Sequence, residues 1–320
     1  TGPQPTDLVD LGVAPESERA AAAKRPPIRI AMDERGFPNP KALDRASVLL
    51  LGDSFVYGMS ANDGQALGLD RELGTKVYNL GIPGVGPYQE AHVLDAVGAA
   101  MQPKVVVWFV FAGNDLQDAA PIEKAVIAGA KTMADRDLPR APRFILPSLL
   151  TWFAGRVEFG TPALASSRPA PLDGVLCSAP NREPHRFWFH PEHVRRMLTT
   201  KDELRREPGF AGWSQCAARI AATTARVGAK LLVVHLPTKD SALLPFVTDE
   251  QFANVVAAAA FGSPMPPAAQ LPALRQQAEA NSGAFAELVA DRCRELGVPM
   301  LDATAIVRSA FAAGKNPYLE

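Results

Sequence analysis

The chain has no run of about 18 or more consecutive apolar residues, so no part of its 320 residues is expected to cross a bilayer as a helix. It has almost no net charge: 33 Lys and Arg stand against 34 Asp and Glu, for a formal charge of -1. That balance gives no reason to expect nucleic acid or an acidic membrane surface as a partner. The pairs Arg195-Arg196 and Arg205-Arg206 have acidic neighbours and read as solvated helix faces. Cysteine is scarce, with only Cys177, Cys216 and Cys293, far apart and odd in number. This is neither a disulfide framework nor a zinc spacing. Three small buried thiols are expected, with a Cys177–Cys216 bridge left open for an oxidising compartment. A phosphate-binding loop ending in Lys-Ser/Thr is also missing, and Gly81-x-x-Gly84-x-Gly86 is not the dinucleotide fingerprint, which speaks against a nucleotide-binding domain. There is no initiator Met and no signal peptide; the opening Thr1-Gly2-Pro3 reads as a trimmed start, so location cannot be inferred from it.

What is present is ordinary for a folded protein: 47% hydrophobic and 21% charged residues, in a chain long enough for a large core. Residues 1–45 read as an extended lead-in, with five prolines in the first 27, a strand-like alternation over Ile28–Met32 and a turn over Asp33–Pro38. Residues 46–320 then alternate strands and helices. Short apolar runs at 47–51, 76–81, 105–111, 230–235 and 298–302 read as buried parallel strands. Helical patterns cover about 62–74, 87–101, 213–228 and 280–296, the last two closed by Gly228 and Gly297. The alternation predicts an α/β fold, a doubly wound, flavodoxin-like parallel sheet of about five strands with helices on both faces. Two stretches break the rhythm. An insertion at about 117–212, partly helical and without a parallel strand, carries many prolines and aromatic clusters; a second at about 240–275 is rich in Ala and Pro. Insertions of this length typically shape access to an active face.

Ligands of open parallel sheets bind beyond the carboxyl ends of the strands. Three polar clusters fall at such ends: Gly52-Asp53-Ser54, Asn79-Leu80-Gly81-Ile82-Pro83-Gly84 and Gly113-Asn114-Asp115. A serine hydroxyl at a strand-to-helix turn lies beside unpaired backbone N–H groups that can hold an oxyanion. The N–H of Ser54, the backbone of Gly84 and the side-chain amide of Asn114 are the three donors expected to meet there. Loss of one such donor costs roughly 2.7–4 kcal/mol of barrier.

In order and spacing these clusters resemble the first three sequence blocks of the SGNH (GDSL-type) serine hydrolases. The resemblance implies that Ser54 is the nucleophile and that Gly84 and Asn114 complete the oxyanion site. The phrases Gly52–Gly58, Phe111–Leu116 and His235-Leu236-Pro237-Thr238-Lys239 resemble a bacterial branch of extracytoplasmic esterases and relatives of polysaccharide O-acetyltransferases. It implies a periplasmic or secreted esterase that releases an acyl group, acetyl above all, from a carbohydrate through an acyl-Ser54 intermediate. Transfer of the acyl group to or from a polysaccharide is the alternative, and a catalytically retired carbohydrate-binding scaffold is a third reading. No cofactor and no metal are implied; the expected partner is a small-molecule or glycan ester.

The fourth block of that family, Asp-x-x-His, does not occur in the sequence. The closing Leu301-Asp302 and Asn316–Glu320 resemble the stretch just before it, so the base is expected a few residues beyond Glu320. His235, at a strand end, is the substitute within the chain and is expected to face the active rim. His185, His190 and His193 are expected to line or pack a lid, and His92 to be structural. Asp53 is expected to cap its helix, Asp115 to hold its own loop, and Asp302 to lie near the active face without serving as the triad acid.

Overall fold

A computed structural model describes residues 30–58, 64–119, 175–179, 184–187, 189–259 and 265–315. The expected lead-in over residues 1–27, most of the first insertion and the closing residues 316–320 lie outside these. The strands are β1 (Val48–Leu51), β2 (Val77–Asn79), β3 (Val105–Phe111), β4 (Val175–Cys177), β5 (His185–Phe187), β6 (Lys230–Leu236) and β7 (Met300–Asp302). Five of them form one all-parallel sheet in the order β2-β1-β3-β6-β7, and β4 and β5 form a separate antiparallel pair.

Helices cover both faces of the sheet, which is why its central strands β1 and β3 are apolar throughout. They include α1 (Ser54–Tyr57), α2 (Gly64–Leu73), α3 (Pro87–Val93), α4 (Pro191–Met197), α5 (Lys201–Arg206), α6 (Pro208–Arg226), α7 (Lys239–Leu243), α8 (Asp249–Ala259), α9 (Leu271–Asn281), α10 (Ala284–Leu296) and α11 (Thr304–Ala312). All of β1 is buried, and β3 alternates between buried and half-buried positions. Val106, Trp108 and Val110 join Trp213 and Ile220 of α6 and Phe285 and Leu288 of α10 in the main core. The indole rings of Trp108 and Trp213 stack with centroids 5.8 Å apart. On the opposite face Val48, Leu50 and Val77 pack with Val56 of α1 and Leu69 of α2.

The two insertions are not independent. The β4–β5 pair, α4, α8 and α9 bury Cys177, Phe187, Val194, Phe252 and Ala278 in one apolar cluster, closed by Phe311 of α11. Stretches separated by the strand β6 thus build a single cap. Cys177, Cys216 and Cys293 are all free and buried, and burial pushes the Cys177 thiol up to about 12.

Three expectations are corrected. Residues 30–32 form no strand: no sheet edge receives them, and the Asp33 carboxylate instead gathers the N–H groups of Arg35 and Phe37, the Asn39 amide and the Tyr78 hydroxyl into a turn. The helix foreseen over 87–101 is α only to Val93, then widens to a π turn over Leu94–Gly98 and tightens over Ala99–Met101. The helix foreseen over about 280–296 is one helix, α10, that begins only at Ala284, with Ser282-Gly283 separating it from α9.

Gly209, in the first turn of α6, packs where a Cβ would stand 1.7 Å from the carbonyl oxygen of Leu116. The obstacle is backbone, so no side chain can move aside. Gly209→Ala is expected to lower stability by about 1–3 kcal/mol, as overpacking does, read as a drop in the urea midpoint at constant m-value. An unchanged midpoint would show that α6 does not bear on the segment after β3.

Candidate active site

Within the sheet the chain passes from β1 to β2 at one edge, then returns to β3 on the other side of β1. The loops after β1 and β3 therefore leave adjacent strands in opposite directions, which opens a crevice at their carboxyl ends. The register pairs Leu51 with Trp108, so Ser54 follows one side of the crevice and Asn114 the other.

Gly52 starts the first turn, and a Cβ there would lie 2.5 Å from Cγ2 of Val56. Asp53 caps α1, its Oδ1 accepting from the Phe55 N–H at 2.9 Å. Gly58 ends the helix in the left-handed region at φ +80°. Ser54 is half-buried, and no hydrogen bond among the described residues engages its N–H or its hydroxyl. The second block is tied directly to the first. Ile82 N–H donates to Gly52 O at 3.2 Å, and the fully buried Asn79 donates from Nδ2 to Val56 O at 2.6 Å. A Cβ on Gly81 would meet Tyr57 N at 2.4 Å, so only glycine lets these loops approach. Gly84 stands at an exposed tip with φ +72° and open space where a Cβ would be, and no hydrogen bond among the described residues joins it to Ser54 or Asn114.

The third block meets the first through ring packing and a carboxylate. Phe55 and Phe111 have centroids 4.1 Å apart. The Asn114 side chain lies close enough to the Asp53 carboxyl to hold its pKa down, although burial prevails and leaves it raised. Asn114 Nδ2 donates to Asp118 Oδ2 at 2.8 Å, so one amide lies between the Asp53 and Asp118 carboxyls. Asp115 holds its own loop, as expected, by accepting from the Phe111 N–H at 2.9 Å. Arg196 of α4 reaches down from the cap to donate to the carbonyls of Ala112 and Gly113.

Sequence reasoning passed over Glu90. It lies on α3, 2% exposed, with Oε2 accepting from Trp108 Nε1 at 2.7 Å. Burial first, then the nearby Asp53 and Asp118, push its pKa up to about 8. Burial and the charges of Glu90 and Asp53 hold Asp115 well above the usual carboxylate range, and Asp118 is raised by burial and by Asp53. Its one sequence signal was an acid on the buried face of an amphipathic helix.

The histidines divide by place. His193 of α4 pairs through Nδ1 with the buried Asp240 at 2.9 Å, and Asp240 also accepts from the His190 N–H at 2.6 Å. Its Nε2 lies 2.8 Å from where a Cβ on Gly113 would be, so it borders the third block. His185 packs against Phe311, and His92 lies on α3 beside Tyr88. His235 does not face the rim: it is 3% exposed, its ring packs on Phe285, and its Nδ1 donates to Asp302 Oδ1 at 2.9 Å. It sits one residue inside the end of β6, with its side chain on the core face of the sheet, so it joins β6 to β7 instead. A small cleft beside Ala112 is lined by His193, Arg196, Thr238, Ser241 and Phe285, without Ser54, Gly84 or Asn114. Among the described residues no three or more His, Cys, Asp and Glu are grouped to hold a metal ion, and no helix is long and apolar enough to cross a membrane.

The Asp302 side chain is 44% exposed. Burial pushes its pKa up, but hydrogen bonds from His235 and Thr304 outweigh it and hold the carboxyl at about 2, below the ordinary 3.8. A depressed carboxylate contributes stability above its unfolded pKa and loses it as pH falls through its folded pKa. The unfolding free energy of the native chain is expected to fall more steeply between about pH 4 and pH 2 than that of Asp302→Asn, by less than a full buried pair would give. Parallel curves in acid denaturation would refute the link.

A scan against models of protein families and a search of curated proteins gave no match for this chain.

Proposed function

We propose that the chain is a serine esterase of SGNH type that cleaves an acyl ester, acetyl above all, from a carbohydrate through an acyl-Ser54 intermediate. The observation that carries this reading is the adjacency of β1 and β3 at the switch in strand order, which brings the Ser54 turn against the Asn114 loop through Phe55 and Phe111. A hydroxyl with no hydrogen-bond partner among the described residues, in a turn packed against a loop that carries a side-chain amide, is what acyl transfer uses. Ser54 Oγ attacks the ester carbonyl and its proton passes to a base. The negative charge that develops on the carbonyl oxygen is met by the Ser54 N–H, the Asn114 Nδ2 hydrogen and the N–H of Gly84, whose exposed left-handed loop has space to turn inward. Collapse expels the alcohol, and water releases the acid in a second passage through the same site.

The resemblance assigns the base to an Asp-x-x-His block that these residues do not contain. Among the described histidines, His193 is the one oriented by a buried carboxylate and bordering the third block. Acceptance of the acyl group by a sugar hydroxyl instead of water would make the protein an O-acyltransferase with the same nucleophile and donors. Acetate release from an aryl ester in water, compared with transfer to an added glycan, separates the two.

Fluorophosphonate labelling followed by peptide mapping is expected to modify Ser54 and to vanish in Ser54→Ala. Asn114→Ala is expected to retain the fold and to lower ester turnover by about 10²–10³-fold, the usual cost of one oxyanion donor. A chain that is folded yet unlabelled would favour the retired-scaffold reading.

A further inference from the structure

Behind the proposed nucleophile, buried oxygens outnumber the hydrogens available to them. Asp53 Oδ2, Glu90 Oε1, Asp115 Oδ1 and Asn114 Oδ1 are all inaccessible to solvent, and none has a hydrogen-bond partner among the described residues. Each of the three carboxyls is anchored through its other oxygen: Asp53 by Phe55 N–H, Glu90 by Trp108 Nε1, and Asp115 by Phe111 N–H. The anchors come from two elements: Phe55 from α1, and Trp108 and Phe111 from β3. The acids themselves belong to the first block, to α3 just after the second, and to the third. Four orphaned acceptors cannot satisfy one another, because an acceptor pairs only with a hydrogen. An unpaired buried oxygen costs about 1–3 kcal/mol, and more if charged. The remedy that adds no new group is protonation: a neutral carboxyl offers one O–H and keeps an acceptor.

We propose that Glu90 and Asp115 are carried as neutral acids, and that their hydroxyl hydrogens, donated to Asp53 Oδ2 and Asn114 Oδ1, clamp the three loops of the Ser54 site in register. Glu90 and Asp115 are then positioning residues: they fix the side chain of Asn114 and the cap of α1 without touching substrate. The groups facing them agree with a nest that rejects further negative charge. Asp53 and Asp118 face Glu90 from the β1–α1 turn and from the segment after β3, and Cys216 faces it from α6 as a thiol pushed up to about 12. Arg196 of α4 lies near Asp115, and it is engaged with the carbonyls of Ala112 and Gly113. Burial and neighbouring acids push the Glu90 carboxyl up to about 8. On ionisation the proton leaves to solvent, a donor is lost and a charge appears behind the developing oxyanion.

The positioning role rests on the acyl-transfer reading; the neutral state of the two acids does not. Glu90→Gln provides the control, because a glutamine amide donates an N–H where the acid donated its O–H and still accepts from Trp108. Difference infrared spectra at pH 7 are expected to show the carbonyl stretch of a neutral buried carboxyl in the native chain, diminished in Glu90→Gln and in Asp115→Asn. Absence of that band at pH 7 would overturn the clamp. Ser54 labelling by a fluorophosphonate, measured as the ratio of native to Glu90→Gln rates, is expected to fall about tenfold from pH 7 to pH 9, as protonation of one group does across a unit above its pKa. A ratio that stays constant would overturn the positioning role. Absence of labelling at every pH would sink the acyl-transfer reading alone, and the infrared band would still decide the clamp.

Discussion

The direct pairing of β1 with β3 is the constraint from which the arrangement of the site follows. Because β2 is added on the far side of β1 and β3 on the near side, the loops after β1 and β3 diverge above two neighbouring strands. Leu51 opposite Trp108 sets the heights of the two loops, so that Phe55 can stack on Phe111. A slip of this pairing would separate Ser54 from Asn114 and would also part Trp108 from its partners Glu90 and Trp213. Core packing and site geometry are therefore specified by the same strand pair.

Above this frame sits a cap made from two insertions that share one apolar cluster. Its contact with the sheet is polar. Arg196 reaches the carbonyls at the end of β3, and the His193–Asp240 pair stands over Gly113. Such a join costs desolvation but fixes orientation, because a guanidinium on two carbonyls tolerates little rotation.

Beneath the crevice the charge pattern runs against simple stability. Burial raises the pKa of all three acids, and the charge of Asp53 pushes Glu90 and Asp115 further up. Surfaces and helix ends elsewhere carry the ordinary opposite pattern, in which Asp302 is held ionised by His235 and Thr304. Costly local arrangements of this kind are typical of sites kept for what they do.

Much of this was legible along the chain. A buried parallel strand is a short unbroken apolar run, so β1, β3 and β6 could be read to within a residue or so, and glycines whose conformation or close contacts exclude a side chain marked the loops. Ser54, Gly84 and Asn114 could be nominated because strand ends converge in any parallel sheet. Local pattern failed where pairing decides: the alternation at 28–32 found no sheet edge among its described residues 30–32. Tertiary structure alone decided the rest. It turned His235 inward to Asp302, merged two distant insertions into one cap, and gathered Asp53, Glu90 and Asp115 into a single nest. Residues so far apart in sequence carry no mutual signal, since the desolvation and repulsion that define their chemistry exist only once the loops have met.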